Sequence, residues 1–167
     1  RHDGFVIQSK TYSNLLLYSQ IKRLLYLDQD ADTKLFLMGL EPPLKQGSSS
    51  YSFLVIPLEI GPEIQLLLNA SDDDFQTKWN GKLSRDLTDT LQNVFPVIVQ
   101  SFTSNKILGA DKTFATRNNC HYISATYKGS DGSIYMLKKS LLFLRKPTLM
   151  LRFEDMKTIS FPSLTVN

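Results

Sequence analysis

Cysteine occurs once in these 167 residues, at Cys120, and beside it stands His121, one of two histidines with His2. A thiolate next to an imidazole could act as a nucleophile and base or as half of a zinc site. In the apolar stretch CHYISATYK (120–128), which reads as a strand, adjacent side chains leave opposite faces of the backbone. The two residues therefore cannot share one ion or one substrate, and Cys120 is expected as a small core residue. DQDAD at 28–32 imitates a calcium loop, with carboxylates at alternate positions. Such a loop needs glycine at its sixth place and glutamate at its twelfth, where this chain has Thr33 and Gly39. An acidic hairpin loop is the simpler expectation. DDD at 72–74, preceded by Ser71, fits the start of a short helical turn better than an ion site. Asn69-Ala70-Ser71 matches the glycosylation tripeptide, a pattern frequent by chance. The sequence contains no glycine-rich phosphate loop, GxSxG, HExxH or CxxC. No catalytic residue, metal, cofactor or small-molecule substrate is expected.

Cations are the remaining candidates for chemistry. Lys138, Lys139, Arg145, Lys146, Arg152 and Lys157 lie among aromatic and aliphatic residues near the C-terminal end. On strands they could track phosphates or an acidic partner, or simply solubilise a sheet and protect its edges. Residues 1–105 carry 9 Lys/Arg against 12 Asp/Glu, whereas 106–167 carry 10 against 4. That asymmetry suggests two modules with different partners. With 42% hydrophobic and 21% charged residues the chain can build a packed core. It has no apolar run long enough to span a bilayer, and RHDGFVIQSK has no apolar signal core, so a soluble protein without a membrane partner or secretory address is expected. One cysteine fits a reducing compartment. Beginning on Arg1 rather than methionine, the chain reads as part of something longer.

The elements that must position these residues are mostly strands. FVIQSK, TYSNLLLYSQ, IKRLLYLD, KLFLMGL, YSFLVIPLEI and EIQLLLN follow one another with turn residues between, and their short connections favour antiparallel pairing. EPPLKQG (41–47) reads as a rigid connector, and Tyr51, Phe53 and Val55 share one face of the strand after it. Leu87, Leu91, Val94, Phe95, Ile98 and Phe102 then recur at helical spacing, predicting a helix over about 86–104 with Asp86 as N-cap and a bend or break near Pro96. Strands resume with CHYISATYK, SIYMLKK, SLLFLRK, TLMLRF and MKTISF, with a hairpin turn at GSDG (129–132) and a corner at RKP (145–147). Strands, one long helix, then strands predict a mainly β chain of tandem pleckstrin-homology-like (PH) modules, each a bent antiparallel sheet closed by a C-terminal helix. The first module would span 1–105 and a truncated second one 106–167.

EPPLKQG running into YSFLVI, WNGKL before the helix, and ATYKGSDGSIYMLKKSLLFLRKPTLMLRFEDMKTISF together resemble the middle domain of the smaller subunit of the FACT histone chaperone, the structure-specific recognition protein family. KTYSNLLLYSQIKRL is similar to that family's first-module strands. The resemblance implies a tandem PH-like histone chaperone without catalysis, acting on nucleosomes in the nucleus and on chromosomes during transcription, replication and repair. It implies core histones as partners and the larger FACT subunit through regions outside this chain, with DNA and replication proteins as further candidates. The family's interaction surface maps onto Thr11 and Gln65, with Lys10 and Lys45 as flanking cations and Gln46 displayed beside Lys45. Lys138, Lys139, Arg145, Lys146 and Arg152 are the candidates for DNA or an acidic partner. A direct DNA-binding module and a lipid-binding PH domain are the alternatives, the latter weakened because the first hairpin offers only Lys10. The chain departs from the family at Ser48 to Ser50, at Pro96 and in the short second module, and it contains no dimerisation region, acidic tract or HMG box.

Overall fold

The computed structural model describes residues 3–8, 10, 12–144 and 146–160, and the chain divides into two compact units, Arg1–Gly109 and Ala110–Asn167. In the first unit β1 (Gly4–Gln8) pairs antiparallel with β2 (Ser13–Leu17), followed by a 3-10 turn at Tyr18–Gln20. A second sheet holds β3 (Ile21–Asp28), β4 (Thr33–Gln46) and β5 (Ser49–Glu59) as an antiparallel meander. β6 (Glu63–Leu67) and β7 (Asp86–Thr90) form a two-stranded ribbon. The helix α1 (Leu91–Thr103) comes next, and β8 (Ile107–Leu108) then pairs parallel to β3. That parallel edge departs from the expected all-antiparallel sheet. β8 follows directly on α1, so the return to the sheet comes through a helix, the usual kind of crossover for a parallel pair.

Alternation sets the core. Leu16, Ile21, Leu24, Phe36, Met38, Leu40 and Leu58 pack with Val99 of the helix into one buried cluster. On β5 the inward residues are Leu54, Ile56 and Leu58, so Tyr51 and Val55 are turned to solvent, each 39% exposed. The shared face expected for Tyr51, Phe53 and Val55 is the outer one. A smaller cluster joins Phe75, Trp79 and Leu83 to Leu87, Ile98 and Phe102. Residues four apart on a helix share a face, so α1 serves both clusters: Phe95 and Val99 face the sheet, while Ile98 and Phe102 face the smaller group.

EPPLKQG is not a seven-residue connector. β4 continues to Gln46, the reversal takes only Gly47 and Ser48, and Gln46 lies opposite Ser49. Gly47 supplies the positive φ of 58° that the tight turn requires. Between the Gly39–Phe53 and Leu44–Tyr51 pairs the register shifts, and the two prolines fall in that bulge. There the ladder asks nothing of the missing N–H groups. Gln20 pins the bulge by donating from Nε2 to the Pro42 carbonyl at 2.6 Å.

The helix also differs from expectation. Residues 86–90 form β7 rather than a first helical turn, because Leu66 and Leu67 of β6 take Leu87 and Asp86 as ladder partners. Thr90 occupies the N-cap position in place of Asp86, and Leu91, expected on the buried face, is 44% exposed. The helix runs through Pro96 without the expected break. Proline there has no N–H for the Gln92 carbonyl, a loss worth roughly 3 kcal/mol when nothing compensates. The Tyr26 hydroxyl donates to that carbonyl at 2.8 Å. Burial pushes the Tyr26 pKa up, with the Asp28 charge adding to it and Lys34 opposing, which keeps the donor protonated. Tyr26→Phe is expected to cost about 1 to 1.5 kcal/mol in urea unfolding followed at Trp79. In a Pro96→Ala background, which restores a backbone donor, the same change should cost markedly less. Equal costs in both backgrounds would refute this account of the helix.

In the second unit β9 (Tyr122–Tyr127), β10 (Ser130–Met136), β11 (Ser140–Leu144) and β12 (Leu149–Arg152) form an antiparallel sheet in the order β12-β11-β10-β9. The first hairpin turns at Lys128 and Gly129, with φ of 51° and 79°, rather than across GSDG. Two positive φ values are what a type I′ turn needs, so Ser130 to Gly132 are free to join β10. Tyr135, Leu142, Phe143 and Leu144 are buried, and the Tyr122 ring packs at a tilt across the ladder against Tyr135, with ring centres 5.4 Å apart. MKTISF does not form the expected strand: a 3-10 turn at Phe153–Asp155 ends β12, and 156–160 carry no ladder pairing.

Candidate functional site

The candidates in the first unit sit at the ends and edges of its hairpins. Lys10 is exposed in the connection between β1 and β2, and Thr11 lies outside the described residues. Lys45 is exposed and Gln46 half-buried at the tip of the β4–β5 hairpin, held out by the Gly47–Ser48 turn. Gln65 is exposed on β6, and its Nε2 donates to Asp86 Oδ2 at 2.8 Å. Lys10, the Lys45–Gln46 pair and Gln65 therefore occupy three different hairpins. Among the described residues no hydrogen bond or ion pair joins them.

The acidic residues are largely tied into local structure. Asp28 pairs with Lys34 across the β3–β4 ladder. Asp30 Oδ1 accepts the amides of Asp32 and Thr33 at 3.0 and 2.8 Å, which folds DQDAD into a compact hairpin loop. Ser71 and Asp74 cap each other: the Ser71 amide and hydroxyl donate to Asp74 Oδ2 at 3.3 and 2.7 Å, and the Asp74 amide donates back to Ser71 Oγ at 3.2 Å. This is the reciprocal geometry of a capping box, here at the start of the π-type turn Asp74–Lys78. Asp72 pairs with Arg85.

Three aspartates, Asp30 exposed and Asp89 and Asp111 half-buried, hold pKa values below the ordinary carboxylate range. Asp30 is lowered chiefly by the Asp32 amide, Asp89 by the Asn93 side-chain amide, and Asp111 by the Thr113 hydroxyl with Lys138 also contributing. A depressed folded-state pKa contributes stability that is present above the unfolded value, about 4, and lost as pH falls through the folded value. The urea midpoint should therefore decline below about pH 4. Asp89→Ala, measured by the same titration, should flatten that decline.

In the second unit Lys138 and Lys139 are exposed in the turn between β10 and β11. Arg152 lies opposite Ser140 at the same end of β11. Its guanidinium is already engaged, with Nε 2.8 Å from Asp155 Oδ2 and Nη1 2.8 Å from Glu154 Oε1. Asp155, then Glu154, hold the Arg152 pKa above its usual value. Lys146 is exposed beyond the other end of β11, and Arg145 lies outside the described residues. Five strand residues separate the two ends, roughly 17 Å at the rise of an extended chain. Lys138, Lys139 and Arg152 are thus interleaved with Asp111, Glu154 and Asp155, and Lys146 stands apart from them.

Cys120 and His121 precede β9 rather than lying on it, so the strand-alternation argument does not apply and Cys120 is a half-buried loop residue, not core. His121 Nδ1 lies 2.9 Å from the Phe114 carbonyl, and the Cys120 amide donates to Thr116 Oγ1 at 3.1 Å. Each residue is used in closing its own loop. Among the described residues no cluster of His, Cys, Asp or Glu could hold a metal ion.

Hairpin tips and sheet edges, without a nucleophile held against a base, offer surfaces for binding. The SSRP1 PH domain family matches residues 2–107. This chain belongs to the SSRP1 PH domain family. Residues 121–167 of the same PH-family chain match the middle domain of the Rttp106-like histone chaperones. Among curated relatives, FACT complex subunit pob3 of Emericella nidulans is 31% identical over 158 residues, covering 94% of this chain and 28% of that protein. The pob3 subunit of Aspergillus oryzae is 32% identical over 158 residues, with 94% and 27% covered. FACT complex subunit ctc-1 of Neurospora crassa is 30% identical over 159 residues, with 95% and 28% covered. The chain spans a little over a quarter of the length of these relatives.

One part of this PH-family chain was missed in the sequence. A cleft of about 530 Å³ opens between the turn at 78–82 and the second half of α1. Lys78, Lys82 and Lys106 line it together with Asn80, Gln100 and Val97. WNGKL contains Lys82, but nothing in spacing links residue 82 to residue 106. Only the packing of Trp79 against Phe102, with ring centres 5.3 Å apart, lays that turn along the helix.

Proposed function

We propose that this chain is the tandem PH-like part of a FACT-type histone chaperone subunit, binding core histones without catalysis to help reorganise nucleosomes in the nucleus. The observation that carries this reading is the succession, in one chain, of an SSRP1 PH match and a Rttp106-like histone chaperone match. The larger FACT subunit would be met through regions outside this chain. Histones are basic and wrap DNA by phosphate contacts, so a chaperone competes by covering those contacts with its own surface. The acidic first unit supplies steering, which raises the association rate and weakens with salt.

Contact is assigned to Lys10, Thr11, Lys45, Gln46 and Gln65. Because Asp72 and Asp74 already serve Arg85 and Ser71, charge reversal at 72–74 should weaken histone binding less than Gln65→Ala combined with Thr11→Ala. Pull-down and titration against each histone pair and duplex DNA at physiological salt tests both points. No histone binding would remove the function, and the opposite order of variants would remove the site. Direct DNA binding is the weaker reading, since Arg152 is neutralised by two carboxylates and Lys146 stands at the far end of β11.

A further inference from the structure

The basic cleft of the first unit belongs to none of the surfaces assigned above. Its three ammonium groups come from two places in the chain, Lys78 and Lys82 from the turn before β7 and Lys106 from the segment after α1. Cations after a helix C-terminus complement the helix dipole, which accounts for Lys106. It does not account for Lys78 and Lys82. All three lysines are exposed, and no Asp or Glu is among the residues lining the cleft. Among the described residues none of the three forms an ion pair, although Lys78 Nζ lies 5.7 Å from the Trp79 ring centre.

The walls are not those of a phosphate groove. Val97 is 41% exposed on the helix and lines the cleft together with Asn80 and Gln100. Trp79 is 6% exposed and packs tightly against Phe75 and Phe102, so it offers no face for a base to stack on. Lysines are point charges that accept carboxylates from many directions, unlike the fork of arginine. Side-chain amides can both donate to and accept from a peptide backbone. An extended peptide supplies partners for every one of these groups: carboxylates for the lysines, a main chain for the amides and an aliphatic side chain for Val97. A sugar-phosphate backbone could accept from the lysines and the amide N–H groups but would leave Val97 unmatched.

We propose that this cleft is a docking site for an extended acidic peptide segment, rich in Asp and Glu around one aliphatic residue. This partner has the opposite charge to a histone, so the site is separate from the chaperone reading and stands whether or not histones bind. Trp79 is the only tryptophan in the chain and lines the cleft, which makes its emission a local reporter.

The test is titration of the full chain with a short synthetic peptide of alternating Asp and Glu around a central Leu, at physiological salt. A saturable change in Trp79 emission is expected. Lys78→Glu with Lys82→Glu should raise Kd by about tenfold or more, whereas Lys138→Glu with Lys139→Glu should stay within about twofold. Replacing the central Leu by Ala in the peptide should weaken binding by about threefold or more. The substituted lysines are exposed, and an unchanged urea midpoint confirms intact folding. Equal losses in both lysine pairs would mean general charge attraction and overturn the site. So would indifference to the Leu-to-Ala change, tighter binding of an oligothymidylate than of the peptide, or the lack of any emission change and calorimetric heat.

Discussion

Gly132→Ala is expected to destabilise the second unit by about 3 kcal/mol, the upper end of what overpacking costs. A Cβ on Gly132 would collide with the Leu144 carbonyl oxygen and stand 2.6 Å from the Phe143 ring. The ring could swing aside, but the carbonyl belongs to the backbone of β11, whose Leu144 faces Ser133 in the ladder. Relief therefore requires moving a strand that carries Leu142, Phe143 and Leu144, all buried. Amide hydrogen exchange at Ile134 and Leu142 should accelerate by more than a hundredfold, the exchange equivalent of about 3 kcal/mol. Exchange unchanged within about threefold would show that β11 yields freely and that the glycine is incidental.

Gln92→Ala should cost the first unit about 2 to 4 kcal/mol. Gln92 is only 8% exposed, and its Nε2 donates to the Leu58 carbonyl at 2.7 Å and to the Asp32 carbonyl at 3.0 Å. One amide thus joins the start of α1 to the end of β5 and to the β3–β4 loop. Truncation leaves the buried Leu58 carbonyl without this donor and opens a space where the side chain stood. Gln92→Glu should be worse than Gln92→Ala at neutral pH, because it sets a carboxylate against those carbonyls. Urea unfolding followed at Trp79 measures both. A loss below about 0.5 kcal/mol for Gln92→Ala would show that water serves the carbonyls equally well.

Neither residue announces itself in the sequence. A glutamine at the second helical position reads as an ordinary polar residue, and Gly132 in GSDG reads as a turn glycine. The turn lies two residues earlier, at Lys128 and Gly129, so Gly132 is present for close approach rather than for reversal. The same kind of shift explains residues 86–90. Leu87 fits the helical spacing of the residues after it, but alternation in five residues fits a strand equally well, and the partner strand β6 decides between them. EPPLKQG misled in the opposite direction. Two prolines argue against a strand, yet a bulge tolerates them and leaves a two-residue hairpin beyond.

Of the candidate site, the residue types were legible and the geometry was not. Lys138, Lys139, Lys146 and Arg152 read as one basic stripe because they are close in sequence. In the sheet they fall at the two ends of β11, with Glu154 and Asp155 closing on Arg152. Lys78, Lys82 and Lys106, which no motif brings together, line one cleft.

What the sequence by itself determined is the mainly β architecture, the single long helix, the PH family and the absence of any motif for catalysis. The architecture and the helix follow from periodicity, turn chemistry and segment order, and the family from the resemblance carried by EPPLKQG, WNGKL and residues 125–161, all of them local properties carried by neighbouring residues. Tertiary structure alone decided that Tyr26 would supply the donor Pro96 lacks, that Gln92 would tie helix to sheet, and which cations share a surface. Each of these joins residues tens of positions apart, and which distant groups meet is set by the packing of α1 on two apolar clusters at once.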